Sequence, residues 1–212
     1  MHDKYKGEHV LVFPRTLLEE IGEFQGTSSD VDSYLSKILD KQNNKFALRV
    51  AAEDDPSLQQ IIPYVLFYHG GEVFSYVRGK GAGEARLKGN RSIGIGGHIN
   101  PQDETLFAMA NTSSDMSTYL EAVIREINEE VIVDEEYTPE IIGLIKDDGN
   151  PVGKVHFGVV HLCQLKSKSV RKKERQITAA GFVSLKDLAG PRREELESWS
   201  AYCVDLLIEK GL

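Results

Sequence analysis

The chain has 212 residues, of which 41% are hydrophobic, and this is enough for one globular domain with a full apolar core. Its formal net charge of −8 at pH 7 argues against a protein that binds nucleic acid or a membrane surface. No signal peptide, lipidation motif or apolar stretch of membrane-spanning length is recognisable. We therefore expect a cytoplasmic protein, with Cys163 and Cys203 as buried thiols rather than a disulfide.

The N-terminal part of the chain alternates short segments of strand and helix periodicity. The predicted elements are a strand at Val10–Phe13, helices at Arg15–Glu23 and Val31–Lys41, and a strand at Phe46–Ala51. Residues 1–59 carry no recognisable chemistry, and we interpret them as an N-terminal extension packed on the core. Such an extension would cover a sheet edge or contribute to a homodimer interface.

The rest of the chain continues this alternation. It predicts a hairpin of strands Ile61–Tyr68 and Glu72–Arg78 around His69-Gly70-Gly71, a short strand from Ser92 into the glycine turn Gly96-Gly97, a strand pair at Thr138–Lys146 and Lys154–Leu165, a strand at Gln176–Ser184 and a closing helix at Arg192–Glu209. Helices interspersed among these strands indicate an α/β fold with helices on both sides of a mixed sheet.

An amphipathic helix beginning near Asp115 carries an unusual concentration of carboxylates. Its apolar positions recur at helical spacing and are Met116, Leu120, Val123, Ile124, Ile127 and Val131. Glu126, Glu129 and Glu130 fall within one narrow arc of this helix, where their like charges repel each other. A hard divalent cation such as Mg²⁺ would remove that repulsion. The alternative interpretation is a solvated acidic face.

A Gly-Gly turn after a strand, followed by a helix with R-E-x-x-E-E, resembles the Nudix box, G-x(5)-E-x(7)-R-E-U-x-E-E-x-G-U with U a bulky apolar residue. The second half of the pattern matches at Arg125, Glu126, Ile127, Glu129 and Glu130.

The first half of the pattern departs from the family. Arg125 follows Gly97 by 28 positions, which is 14 more than the pattern has. Counted back from the arginine, the first glutamate of the pattern is Ser117, and the glycine after the glutamate pair is Ile132. Substitutes for the missing carboxylate could be Glu104, Asp115 or Glu121. The turn G-G-H-I-N with a long loop resembles a Nudix branch described as predicted phosphoesterases.

The resemblance implies a Nudix α/β/α sandwich with a mixed sheet over residues 60–212. It implies a hydrolase that cleaves a phosphoanhydride bond in a nucleoside diphosphate linked to another moiety, or in a related small diphosphate, by in-line attack of water. It also implies Mg²⁺, which Mn²⁺ can replace, held by Glu126, Glu129, Glu130 and the carbonyl of Gly97. Arg125 would orient the carboxylates.

Further site residues follow from the same resemblance. The general base would be Glu129 or Glu174, since many Nudix enzymes take a glutamate from the loop that contains Glu174. Arg78 and Arg86, on either side of a glycine-rich loop, would contact substrate phosphates. His98 is either a substrate contact or a turn residue.

Two further histidines lie in one predicted strand. His156 and His161 have an odd spacing, which puts them on opposite faces. We expect one of them to be buried and neither to bind a metal.

Two other classes of protein remain open. A non-catalytic Nudix-fold module that binds a ligand or RNA often lacks the metal-binding glutamates, whereas this chain has all three. An enzyme similar to isopentenyl-diphosphate isomerase would need a catalytic cysteine, and neither cysteine of this chain stands in a comparable motif.

Overall fold

The structure is a computed structural model that describes residues 5–79, 89–103, 115–173 and 177–212. The chain divides into two compact units that interleave along the sequence. The first unit comprises Met1–Pro63, Gly97–Arg125 and Gly143–Val159, and the second comprises Tyr64–Gly96, Glu126–Ile142 and Val160–Leu212. The predicted boundary between residues 59 and 60 stays a prediction.

The first unit contains the N-terminal strands and helices. They are β1 (His9–Pro14), α1 (Thr16–Ile21), β2 (Gly26–Ser28), α2 (Val31–Ile38), β3 (Lys45–Leu48), α3 (Arg49–Ala52) and the beginning of β4 (Leu58–His69). Strand β1 pairs antiparallel with β3 and with β4, and β2 pairs antiparallel with the end of β9 (Glu140–Lys146). Buried side chains of β1, Val10 and Val12, pack with Ala52 of α3.

The predicted strand Phe46–Ala51 is correct only as far as Leu48. Helix α3 begins at Arg49, whose backbone N–H donates to the carbonyl oxygen of Glu8 at 2.8 Å. The Arg49 guanidinium also binds the Glu8 carboxylate, at 3.0 and 3.2 Å. These contacts come from a distant segment, so the local periodicity could not indicate the change.

The second unit is built on the hairpin of β4 and β5 (Glu72–Arg78). Gly70 and Gly71 form its turn with positive φ angles of 55° and 83°, which favour glycine. Strand β5 also pairs antiparallel with β6 (Arg91–Ser92) and β12 (Ile177–Ser184), and β4 pairs with β7 (Gly94–Gly96). The remaining elements are β8 (Val131–Val133), β11 (Val170–Lys172), α5 (Leu185–Ala189) and α6 (Ser198–Glu209).

The predicted helix with the carboxylates is present as α4 (Asp115–Glu130), and β8 follows it directly. Its buried stripe differs slightly from the prediction, because Tyr119 and Ala122 are buried and Leu120 is 38% exposed. Val123 and Ile127 are fully buried, as expected. The core therefore holds this helix firmly along one side.

The predicted closing helix is shorter than expected. Arg193–Glu195 forms a 3-10 turn, the backbone is extended at Leu196 and Glu197, and α6 begins only at Ser198. Glu197 interrupts the helix because its side chain is buried and accepts hydrogen bonds from several groups of this unit.

The elements form the mixed α/β fold with a large sheet that the sequence predicts. Among the described residues, ten strands belong to one sheet, and β8 and β11 form a separate antiparallel pair. Cys163 and Cys203 are buried free thiols, as predicted. His156 begins β10 (His156–Gln164), and both His156 and His161 are buried, where only one was expected to be. No helix in the described part of the chain is long and apolar enough to span a membrane.

Candidate active site

The last turn of α4 carries the three predicted metal ligands. Glu126 is 9% exposed, Glu130 is partly buried and Glu129 is exposed. This last turn contains no basic residue, and Arg125 directly precedes Glu126 on the same helix. Negative charge is also unfavourable at a helix C-terminus, where the helix dipole is negative. The arrangement therefore suits the binding of a cation.

Two backbone carbonyls of this helix end are bound by one residue of the loop after β11. The Lys173 backbone N–H donates to the carbonyl of Glu130 at 2.9 Å, and its Nζ donates to the carbonyl of Asn128 at 2.8 Å. Burial, with a contribution from the negative charge of Glu130, raises the pKa of the Tyr76 phenol. Glu130 and Tyr76 both belong to the second unit.

Arg125, one residue before these glutamates, binds the glycine turn. Its Nε and one Nη donate to the two carboxylate oxygens of Asp103 at 2.7 and 3.1 Å. The same Nη donates to the carbonyl oxygen of His98 at 2.8 Å. Asp103 in turn accepts the backbone N–H of Asn100 at 2.8 Å. Arg125 and Asp103 therefore fix the backbone that follows Gly97 against helix α4.

The prediction from sequence missed Asp103. The first carboxylate of the Nudix pattern stands six positions after the glycine, and six positions after Gly97 is Asp103. Counting back from Arg125 instead gave Ser117, because the extra residues lie between the carboxylate and the arginine. Counting forward from the glycine would have found it.

Glu104, Asp115 and Glu121 were the residues predicted to replace that carboxylate. Glu104 and the side chains of Asp115 and Ser117 lie outside the described residues. Glu121 is partly buried on α4. The carboxylate that the structure does show on Arg125 is Asp103, whose side chain is 1% exposed. Whether Arg125 also orients the glutamates of α4 stays a prediction.

His98 lies among polar groups of the first unit. Its Nε2 is 3.0 Å from Oε1 of Gln60 and 3.3 Å from Nε2 of His156. Burial, followed by the positive charges of Arg49 and Arg125, lowers the pKa of His98 well below its usual value. The imidazole is therefore neutral at pH 7. Its role as a substrate contact stays a prediction.

Arg78, predicted to contact phosphate, forms an ion pair with the buried carboxylate of Glu197. Its Nε and one Nη donate to the Glu197 carboxylate at 2.7 and 3.2 Å. Although burial opposes ionisation, the charge of Arg78 and its hydrogen bonds lower the pKa of Glu197. The guanidinium is thus engaged by the protein itself. Arg86 and Glu174 lie outside the described residues.

Comparison with known proteins identifies the family. No family model matches the chain. Protein YmaB of Bacillus subtilis (strain 168) is 36% identical over 208 residues, which cover 94% of this chain and 97% of YmaB. The solved structure of Tm1382, a candidate Nudix hydrolase, has a TM-score of 0.74 at 29% identity and covers 95% of this chain and 99% of that one. The chain belongs to the Nudix family, in the group of YmaB.

More distant Nudix proteins share the fold alone. The Nudix domain of NrtR from Shewanella oneidensis, solved with ADP-ribose, has a TM-score of 0.51 at 12% identity, covering 73% of this chain and 89% of that one. The Nudix assignment made from the residues Arg125 to Glu130 is therefore confirmed. The likeness of the turn Gly96–Asn100 to one phosphoesterase branch stays a prediction.

Proposed function

We propose that this Nudix protein is a metal-dependent hydrolase that cleaves the phosphoanhydride bond of a nucleoside diphosphate linked to another moiety, or of a related diphosphate. The observation that carries the proposal is the end of α4, which presents Glu126, Glu129 and Glu130 within about one helical turn, and whose last turn contains no basic residue. The NrtR domain, which shares the fold, was solved with a ligand of this chemical class, ADP-ribose.

The donor set fits Mg²⁺, because carboxylate and carbonyl oxygens are the ligands that this ion prefers. Glu126, Glu129, Glu130 and the carbonyl of Gly97 would hold it, and Mn²⁺ could replace it. When bound, the ion supplies charge stabilisation at the phosphoryl oxygens and lowers the pKa of the attacking water. The proton of that water would be accepted by Glu129, which is exposed, or by Glu174.

Arg125 acts in this proposal as a positioning residue. Its bonds to Asp103 and to the carbonyl of His98 hold the backbone beside Gly97 in one conformation. A metal ligand supplied by a backbone carbonyl depends on such a restraint, since the turn itself contains two glycines.

The burial of both cysteines argues against isomerase chemistry. Burial raises the pKa of Cys163 to about 12 and that of Cys203 well above its usual value. Both thiols have no exposed surface. A thiol that must protonate or attack a substrate needs access and an accessible thiolate state, and neither cysteine offers them.

The test is hydrolysis of a panel of nucleoside diphosphate derivatives with Mg²⁺ or Mn²⁺, measured as released phosphate after phosphatase treatment. Glu129→Gln and Glu130→Gln keep the side-chain shape and remove one charged ligand each. We expect kcat to fall by about 100-fold or more in each variant, with unchanged circular dichroism. Stability without metal should be equal or higher, because repulsion on the helix is relieved.

The matched control is Glu136→Gln, an exposed glutamate outside the helix, which should retain wild-type kcat. Near-normal turnover of both ligand variants would refute the metal site. Glu174→Gln decides the base: a large loss in kcat with little change in KM would identify Glu174, and unchanged kinetics would leave Glu129.

A further inference from the structure

A second cluster of potential metal ligands lies in the first unit, among residues that the Nudix pattern does not include. Glu53 directly follows α3, His98 follows the glycine turn and His156 begins β10. One ligand atom from each lies within 4.8 Å of the others. Nε2 of His156 is 3.3 Å from Nε2 of His98 and 4.0 Å from Oε1 of Glu53.

We propose that Glu53, His98 and His156 form a site for a single transition-metal ion of the Zn²⁺ type, built from residues other than the proposed Mg²⁺ ligands. The proposal concerns residues of the first unit and does not depend on the proposed hydrolase activity. Two imidazoles and one carboxylate are a donor set that Zn²⁺ takes in proteins, with a fourth position open to water or another group. Glu53 belongs to the N-terminal extension, for which the sequence indicated no chemistry.

The separation of the two imidazole nitrogens is that of neighbouring ligands on one ion. Zn–N distances of about 2.0–2.1 Å in a tetrahedron place two nitrogens roughly 3.3–3.4 Å apart. The observed Nε2 to Nε2 distance is 3.3 Å. Glu53 is farther away, with its Oε1 at 4.0 Å from Nε2 of His156.

The hydrogen bonds of His156 leave the lone pair on its Nε2, which faces the proposed metal position. Its Nδ1 lies 2.7 Å from the carbonyl oxygen of Val152, which can only accept, so Nδ1 carries the proton. In the neutral ring, Nε2 of His156 is then an acceptor that faces Nε2 of His98. Metal-binding histidines commonly donate their second ring nitrogen to a backbone carbonyl in this way.

The amide of Gln60 also lies beside the cluster. Its Oε1 is 3.0 Å from Nε2 of His98, while its side-chain nitrogen is buried with no hydrogen-bond partner. Oε1 of Gln60 and Nε2 of His156 are both acceptors, so Nε2 of His98 carries the proton in the metal-free protein. An ion bound at this nitrogen would require the other tautomer of His98, with the proton on Nδ1.

Two arginines and three carboxylates surround the cluster. Arg49 is bound by Glu8 at 3.0 Å and Arg125 by Asp103 at 2.7 Å, so each arginine has a carboxylate partner. Glu53 is a further carboxylate, with Arg49 Nε at 3.5 Å from its Oε1. With neutral imidazoles, these groups sum to a net charge of −1, which favours binding of a divalent ion.

The experiment uses the full chain, stripped with chelator and saturated with Mg²⁺ so that the glutamates of α4 are occupied. Co²⁺ and Zn²⁺ are then titrated separately, with visible absorption for Co²⁺ and calorimetry for Zn²⁺. We expect one equivalent of each ion to bind, with the intense visible bands of four-coordinate Co²⁺ and a rise in Tm with added Zn²⁺. Absence of such a Co²⁺ spectrum in the wild-type protein would overturn the proposal.

Variants locate the ion. His156→Asn and the milder Glu53→Gln should each weaken Co²⁺ binding by more than about 100-fold, since loss of an outer-shell partner alone costs roughly 10- to 100-fold. His161→Asn, a buried histidine of the same strand, and the pair Glu129→Gln and Glu130→Gln should leave the spectrum unchanged. Loss of binding only in the glutamate variants of α4 would assign the ion to the Nudix site instead and refute the cluster.

Discussion

Two arginines of this protein bind buried carboxylates in nearly the same geometry but serve different ends. Arg125 binds Asp103 at 2.7 and 3.1 Å, and Arg78 binds Glu197 at 2.7 and 3.2 Å. In the first unit, Arg125 also donates to the carbonyl of His98, and Asp103 accepts the backbone N–H of Asn100. The Arg125 pair therefore shapes a turn.

In the second unit the carboxylate instead gathers side-chain hydroxyls. Glu197 accepts from Ser92 at 2.7 Å and from Tyr64 at 3.0 Å, and the Tyr64 hydroxyl is 2.9 Å from that of Ser200. Ser200 lies on α6, so this pair anchors the start of the closing helix. A bidentate arginine by itself therefore does not indicate a functional site; the groups around its carboxylate partner decide its role. One pair belongs to a proposed active site, and the other packs a helix.

The largest effect on stability should come from removal of the Glu197 charge. Glu197→Gln leaves the Arg78 guanidinium without its carboxylate in a buried network, and breaking such a pair costs about 3 kcal/mol or more. We expect the Tm to fall by roughly 6–12 °C for a chain of this size, measured by calorimetry. At low temperature, kcat should remain close to that of the wild type.

Glu194→Gln is the control, because Glu194 is an exposed glutamate of the 3-10 turn just before Glu197. It should change stability by less than about 1 kcal/mol. If Glu197→Gln instead abolished activity in a stable protein, Arg78 would belong to the substrate site, as the sequence prediction had it.

Loss of the ion pair between Arg125 and Asp103 should reduce catalysis more than stability. Asp103→Asn removes the charge that holds Arg125, and we expect kcat to fall by roughly 10- to 100-fold together with weaker Mg²⁺ activation. Mg²⁺ dependence is the decisive measurement, because a purely structural residue would not move it. Asp103→Glu supplies the residue of the family pattern and should recover most of the activity. Wild-type Mg²⁺ dependence in Asp103→Asn would disprove the positioning role.

The sequence was sufficient to predict the helices and strands that are determined by residues within a few positions of each other. The apolar spacing of α4, the two glycines of the β4–β5 hairpin and the proline that ends β1 each act within a few residues, and those elements were predicted correctly. The glutamates and Arg125 were found because the motif lies within one helix. The family followed from them and is confirmed.

The features that were missed depend on residues far apart in the sequence. The closing helix begins only after Glu197, whose side chain binds Arg78, and a helix begins at Arg49, which binds Glu8. The cluster with His156 joins three separate segments, so strand periodicity could show which face that histidine occupies but not what it meets. Such contacts form only when the fold brings distant segments together, so the sequence pattern of one segment does not show them.

The smallest effect on stability should come from Asp148, a partly exposed carboxylate of the first unit that also binds an arginine. Asp148 accepts from Arg15 at 2.7 and 3.0 Å and from the Lys146 ammonium at 2.7 Å, and its side chain is 34% exposed. The hydrogen bond with Arg15, and then that with Lys146, lowers the pKa of Asp148 to about 2, although burial opposes the shift.

A carboxyl group whose pKa is lower in the folded state stabilises the protein above its unfolded pKa of about 4, and this stabilisation is lost as the pH falls towards 2. Because the group is partly solvated, we expect a contribution of only about 1 kcal/mol. Asp148→Asn should therefore flatten the dependence of unfolding free energy on pH between about 4 and 2, measured by urea titration at each pH. Glu209→Gln, an exposed position at the end of α6, should leave the slope unchanged. If the dependence of unfolding free energy on pH were unaltered in Asp148→Asn, Arg15 and Lys146 would stabilise the fold through other contacts. The comparison of arginine–carboxylate pairs would then apply only to those with Asp103 and Glu197.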